Sequence, residues 1–150
     1  MDKPFVAENA RELERLHSLV ERLSDNELNH PLGNDWTVSV ALAHLAFWDQ
    51  RSLVLMRKWK LTGVEPSPID VDVTKDSLQP TWLALNPRVA ANLAVSAAEA
   101  IDNELAKCSP DLISEIESMG DEFRLYRSIH RKLHLDQIEE TLKKGGGRID

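Results

Sequence analysis

Two histidines stand four residues apart in the run Ser128-Ile129-His130-Arg131-Lys132-Leu133-His134-Leu135-Asp136-Gln137-Ile138. The run reads as an amphipathic helix, and a turn of about 3.6 residues puts both imidazoles on one face, one above the other. Tyr126, Leu133, Gln137 and Ile138 share that face, so the pair is expected to point inward. A single histidine on an apolar face is ordinarily structural, hydrogen-bonded to a carbonyl or a neighbouring side chain. Two on consecutive turns must both find polar partners, since an unsatisfied buried polar group costs about 1–3 kcal/mol. A divalent metal satisfies both at once, and neutral imidazole is the commonest metal ligand. A third histidine, His44, sits among Val40, Ala41, Phe47 and Trp48. Facing helices of a bundle assemble metal sites in this way, and three protein ligands with one open position suit a catalytic ion. His44, His130 and His134 are therefore the candidate metal ligands. His17, at the edge of an apolar stripe, and His30, ahead of a proline, are expected to touch solvent.

Other groups bear on a substrate. Arg51 lies two turns beyond His44 on the same face, about 10 Å along the axis. A guanidinium is shaped to hold a carboxylate; the competing expectation is an ion pair with Asp49, Glu99 or Asp102. Trp48 joins Arg51 as a candidate substrate contact, while Trp36, Trp59 and Trp82 either wall a pocket or belong to the core. Asp49 reads as an acceptor behind the ligands or as a surface charge, and Asp136 as exposed. Cys108 has nothing beside it that would lower its pKa, so it is not a candidate nucleophile. No nucleophile–base triad, phosphate loop or flavin signature is present.

The elements that must position these residues are helical. Val6, Ala10, Leu13, Leu16, Val20 and Leu23 follow a three-and-four spacing that predicts a helix over about residues 6–24, stopped by Ser24-Asp25-Asn26. Residues 29–36 read as a loop. The longest helix is framed by Thr37 as N-cap and Gly63 as its stop. It is apolar nearly all round at first, which buries His44 and leaves room for a homodimer. Residues 64–85 are rich in proline and aspartate without a clear period and read as a long loop. Asn86-Pro87 starts the third helix, whose alanines permit a close neighbour. Ser109-Pro110 starts a short helical turn. The last helix spans about residues 122–143, ended by Gly145-Gly146-Gly147, with a flexible tail over residues 145–150. Four main helices, no convincing strand and one crossing loop predict an all-α four-helix bundle forming a single domain over 1–150.

Composition agrees. The chain has 150 residues and a net charge of −7, with one cysteine. That charge argues against nucleic acid as a partner. There is no apolar run near the ~20 residues that span a bilayer and no signal-peptide layout, so a cytoplasmic protein without a membrane partner is expected.

Trp36-Thr37-Val38 followed by Ala43-His44-Leu45-Ala46-Phe47-Trp48-Asp49 resembles the second-helix signature of the DinB-like superfamily. The run from His130 to Ile138 resembles its last-helix signature, and order and spacing agree along nearly the whole chain. The resemblance implies an up-down-down-up bundle and a three-histidine site for a divalent metal, often zinc or nickel, at His44, His130 and His134. Some members are thiol-dependent transferases or isomerases, such as mycothiol-dependent maleylpyruvate isomerase; others are described as metal-dependent hydrolases. In that isomerase a glutamate stands where this chain has His130, and this sequence leaves no room for a second domain of any size, so the isomerase reaction is not carried over. The leading expectation is a metal-dependent enzyme acting on a small molecule, its ion activating water or a low-molecular-weight thiol cosubstrate for hydrolysis or S-transfer. The competing one is a non-catalytic bundle with a structural metal that binds a ligand or partner.

Overall fold

The computed structural model of the protein describes residues 3–147. Among these the fold is all-α, with seven helices and one small pair of strands: α1 (Pro4–Arg22), α2 (Asp25–Leu28), β1 (Pro31–Gly33), β2 (Trp36–Thr37), α3 (Val38–Thr62), α4 (Val71–Ala84), α5 (Pro87–Ala106), α6 (Pro110–Ser118) and α7 (Arg127–Gly147). The long helices pack on one another as α3 on α5, α5 on α1, α1 on α7 and α7 on α3. The α3–α5 contact is the most extensive. Ala90, Ala91, Ala94, Ala97 and Ala98 are all buried along it, small side chains that let two backbones approach.

Local signals set most of the ends. Thr37 Oγ1 accepts from the Val40 amide at 3.2 Å, and Gly63 closes α3 with a φ of 90°. Asn86 Oδ1 accepts from the Arg88 and Val89 amides, with Pro87 in the first turn of α5. Ser24 does not simply stop α1. It caps α2 through a reciprocal bond with Glu27, a capping box.

Three expectations are corrected. The loop expected over residues 64–85 contains α4, capped by Asp70, whose carboxylate accepts from the Val73 amide. Its period was hidden because Pro80 lies inside it and only Trp82 is fully buried, while Val71, Val73 and Leu83 are exposed. The stretch expected to lack strands pairs β1 with β2 across Asn34-Asp35. Both turn residues have positive φ, 54° and 64°, as a two-residue type I′ hairpin requires. The last helix begins at Arg127 after a 3-10 turn over Glu122–Arg124, and it runs through the three glycines expected to end it. The tail expectation for residues 148–150 lies outside the described residues.

A polar layer divides the apolar interior. One core cluster gathers Leu16 and Leu19 of α1, Leu42 and Leu45 of α3, Ala94 of α5, and Leu135 and Ile138 of α7. Another gathers Phe5, Met56, Trp59, Ile101, Leu105, Ile113 and Leu125. Between them along the helices lie Asn9, Asp49, Arg127 and Arg131, each at most 6 % exposed. Arg131 is wholly buried, and its guanidinium grips Asp102 with two bonds of 2.7 and 2.9 Å. It also reaches Asp49 Oδ2 at 3.4 Å and the Asn9 carbonyl at 3.0 Å. Arg127 Nε donates to Asp49 Oδ1 at 2.8 Å, and Asn9 Oδ1 accepts from the Ser128 amide in the first turn of α7. Burial opposes the Arg131 charge, yet Asp49 and Asp102 raise its pKa above the ordinary arginine value. The carboxylates that neutralise these two arginines of α7 come from other helices, Asp49 from α3 and Asp102 from α5.

Arg131→Met would leave the half-buried Asp102 without its cation and take one of two arginines from the buried Asp49. The variant should lose about 3–5 kcal/mol of stability in chemical denaturation; a loss below about 1 kcal/mol would show that the layer is not a principal tie between the helices.

Candidate metal centre

α3 and α7 bring His44, His130 and His134 together. Their ring centroids form a near-equilateral triangle with sides of 4.9, 4.7 and 4.8 Å. One nitrogen from each ring lies within 4.8 Å of the others. His44 Nε2 and His130 Nε2 are 3.0 Å apart. His134 Nδ1 faces Gln137 Oε1 at 3.2 Å; with that oxygen accepting, the nitrogen carries the proton and Nε2 keeps a free lone pair. His44 is 6 % exposed and the other two are half-buried, so the pair on α7 sits at the rim of the interior and not within it. The deepest stripe of α7 is the neighbouring one, Arg127, Arg131, Leu135 and Ile138.

The electrostatics favour neutral rings. Burial, then the charges of His134 and Lys75, pushes the His44 pKa down from 6.5 to about 3. Burial, the two other histidines and the flanking Arg127 and Arg131 lower His130 strongly. Burial also lowers His134, against the pull of Gln137. Neutral imidazoles keep the lone pairs that bind a cation.

The donor set fits a divalent ion. Metal–nitrogen bonds of about 2.0–2.1 Å in a tetrahedral arrangement place donor atoms about 3.3 Å apart, and the nitrogens here span that scale. The His44 nitrogen that faces the triangle is Nε2, whose hydrogen-bond partner is another imidazole nitrogen, His130 Nε2; Nδ1, the other ring nitrogen, is buried without a partner. No further His, Cys, Asp or Glu joins the group among the described residues. His17 is instead half-exposed beside Glu21, and His30 bonds its own loop.

Aromatic rings enclose His44. Trp36, delivered by the hairpin, lies 4.9 Å from it; Trp82 of α4 is at 5.3 Å and Trp48 at 6.4 Å. Trp36 also stacks on His134 at 6.1 Å. Trp59 is elsewhere, in the second core cluster under the Arg124 guanidinium. A cavity of about 350 Å³ opens beside the triangle, lined by His44, His130, Trp48 and Arg51 among others. Among the described residues Arg51 makes no ion pair with a carboxylate. Asp49 and Asp102 are taken by Arg127 and Arg131, and Arg51 Nη2 donates to Ser67 Oγ at 2.8 Å. Cys108 is buried, and burial raises its thiol pKa.

Sequence reasoning missed Asn9, Arg127 and Arg131, which hold α7 in place. The signal was present as spacing: Arg127, Arg131, Leu135 and Ile138 run four, four and three apart, and Asn9 continues the stripe from Phe5 to Leu16.

The sequence model of the DinB superfamily matches residues 8–138, a span that includes all three histidines, and the chain belongs to that superfamily. No curated protein and no solved structure matches the chain.

The lowered histidine pKa values have a consequence for stability. Between the ordinary value of 6.5 and the folded value of about 3, the unfolded chain binds a proton at His44 that the folded chain refuses. Chelator-treated protein should therefore lose stability as pH falls through that window, on the order of 2 kcal/mol from His44 alone near pH 5, and show no such loss above pH 6.5. His44→Gln should make the dependence shallower, leaving the share that His130 and His134 contribute. Denaturation midpoints at stepped pH measure this, and an unchanged slope in the variant contradicts it.

Proposed function

We propose that this member of the DinB superfamily is a metal-dependent enzyme whose divalent ion, zinc or nickel, is held by His44, His130 and His134. The observation that carries the reading is the triangle of neutral imidazoles, with one nitrogen of each ring within 4.8 Å of the others, opening on a cavity. Its frame is taken as an up-down-down-up bundle of α1, α3, α5 and α7, in keeping with their pairwise packing. When bound, such an ion supplies Lewis acidity that lowers the pKa of a ligated water or low-molecular-weight thiol.

The protein's own groups do the rest. His44 and His130 stay uncharged at neutral pH and present lone pairs to one point. Gln137 fixes the tautomer of His134. Trp36, Trp48 and Trp82 keep bulk water off His44, while the cavity admits a small molecule along the edge between His44 and His130. Hydrolysis or transfer to a thiol is the reaction class this arrangement supports. Three protein donors with a cavity beside them favour an open coordination position over a closed structural site, the competing reading.

Protein purified without chelators should carry about one divalent ion per chain, falling close to zero in His130→Ala with helical content retained. Elemental analysis and circular dichroism read this. In a cobalt-substituted sample the visible spectrum should shift on adding a small thiol. A metal-free, folded native protein contradicts the metal reading, and a spectrum indifferent to every added thiol or anion contradicts the open site.

A further inference from the structure

The cavity beside His44 and His130 has two features that the metal does not explain. The first is a cation with no acid. Three arginines line it, and two are neutralised: Arg124 Nε bonds Asp121 Oδ2 at 2.9 Å, and Arg127 Nε bonds Asp49 Oδ1 at 2.8 Å. Arg51 bonds only a hydroxyl, Ser67 Oγ, and no carboxylate pairs with it among the described residues. Its charge is held against opposition, since burial and then the neighbouring Arg124 lower its pKa from the ordinary value. In a chain with 25 acidic and 18 basic residues, a carboxylate partner is easy to supply; here none is supplied.

The second feature is apolar surface. Val71, Phe123, Ile129 and Leu133 are each at least half exposed, and all four line this one cavity. They come from α4, the 3-10 turn and α7, so the patch is assembled by the fold and is not one frayed element. Grouped exposed side chains of this size mark a surface that binds something. Trp48 adds an aromatic wall beside them.

We propose that the cavity binds a small amphipathic monocarboxylate, its carboxylate on Arg51 and its apolar body against Trp48 and the Val71–Phe123–Ile129–Leu133 rim. One free guanidinium matches one negative charge, and its planar fork suits the two carboxylate oxygens. A phosphate dianion would bring a second charge into apolar surroundings with no cation left to meet it. Arg51 lies seven residues beyond His44, about 10 Å along α3, so a ligand anchored there carries its reacting end to the histidines. The inference takes from the proposed function only the place of that reacting end; the contact with Arg51 needs no ion.

The test uses 3-phenylpropionate and its neutral amide, titrated into chelator-treated and zinc-treated protein while the Trp48 indole resonance is followed by NMR. The carboxylate should bind at least about tenfold more tightly than the amide in both samples, and Trp48 should shift. Arg51→Gln should erase the preference and Arg51→Lys should restore part of it. Ser67→Ala, which removes only the hydroxyl, should keep it. Equal binding of acid and amide by the native protein overturns the proposal, as does a preference that survives Arg51→Gln. A preference seen only with zinc, and independent of Arg51, also overturns it while leaving the metal reading intact. If the protein takes up no zinc yet the Arg51-dependent preference persists, the metal reading falls and this proposal stands.

Discussion

A wholly buried guanidinium, that of Arg131, is the group on which the rest of this structure depends. It is costly to bury alone and is tolerated because Asp102 of α5 and Asp49 of α3 meet it, with the Asn9 carbonyl of α1 beside them. Every long helix therefore contributes to a single polar layer. A layer that needs four helices in register specifies their arrangement more narrowly than apolar packing alone, because a slip would leave charges unpaired. Its position matters for chemistry. Arg127 and Arg131 flank His130 on α7, and Asp49 follows His44 on α3 by five residues. The same contacts that lock α7 against α3 hold the two histidine-bearing turns face to face.

The charged layer also shapes the electrostatics of the triangle. The arginines beside His130 help keep it neutral, while their own charges are met by carboxylates on the far side. Aromatic rings complete the environment from three separate elements: Trp36 on the hairpin, Trp48 on α3 and Trp82 on α4. The hairpin depends on two residues with positive φ, so a turn of four residues places an indole over two of the three histidines. Ser67 tethers the segment between α3 and α4, accepting from Arg51 at its hydroxyl and from Arg124 at its carbonyl.

Much of this was legible in the sequence. The all-α class, the limits of α3 and the starts of α5 and α6 followed from caps, prolines and spacing, because these signals are local. The grouping of His44 with His130 and His134 followed from helical faces and from the resemblance to the DinB superfamily. What stayed hidden was whatever depended on distant partners. The outward bias of charge concealed Arg131, whose burial only makes sense once Asp49 and Asp102 are beside it. Helix α4 was masked by Pro80 and by an exposed apolar surface that follows no core period. The hairpin was too short for any alternation to register.

The proposed function requires three imidazoles to hold a divalent ion with a coordination position left open. X-ray absorption at the metal edge of zinc-loaded protein tests this most directly. The expected result is an inner shell of about four light donors near 2.0 Å, with the outer-ring scattering of three imidazoles, falling to two in His134→Ala. A spectrum showing sulfur ligation, or one unchanged when His44 or His134 is replaced, would contradict it.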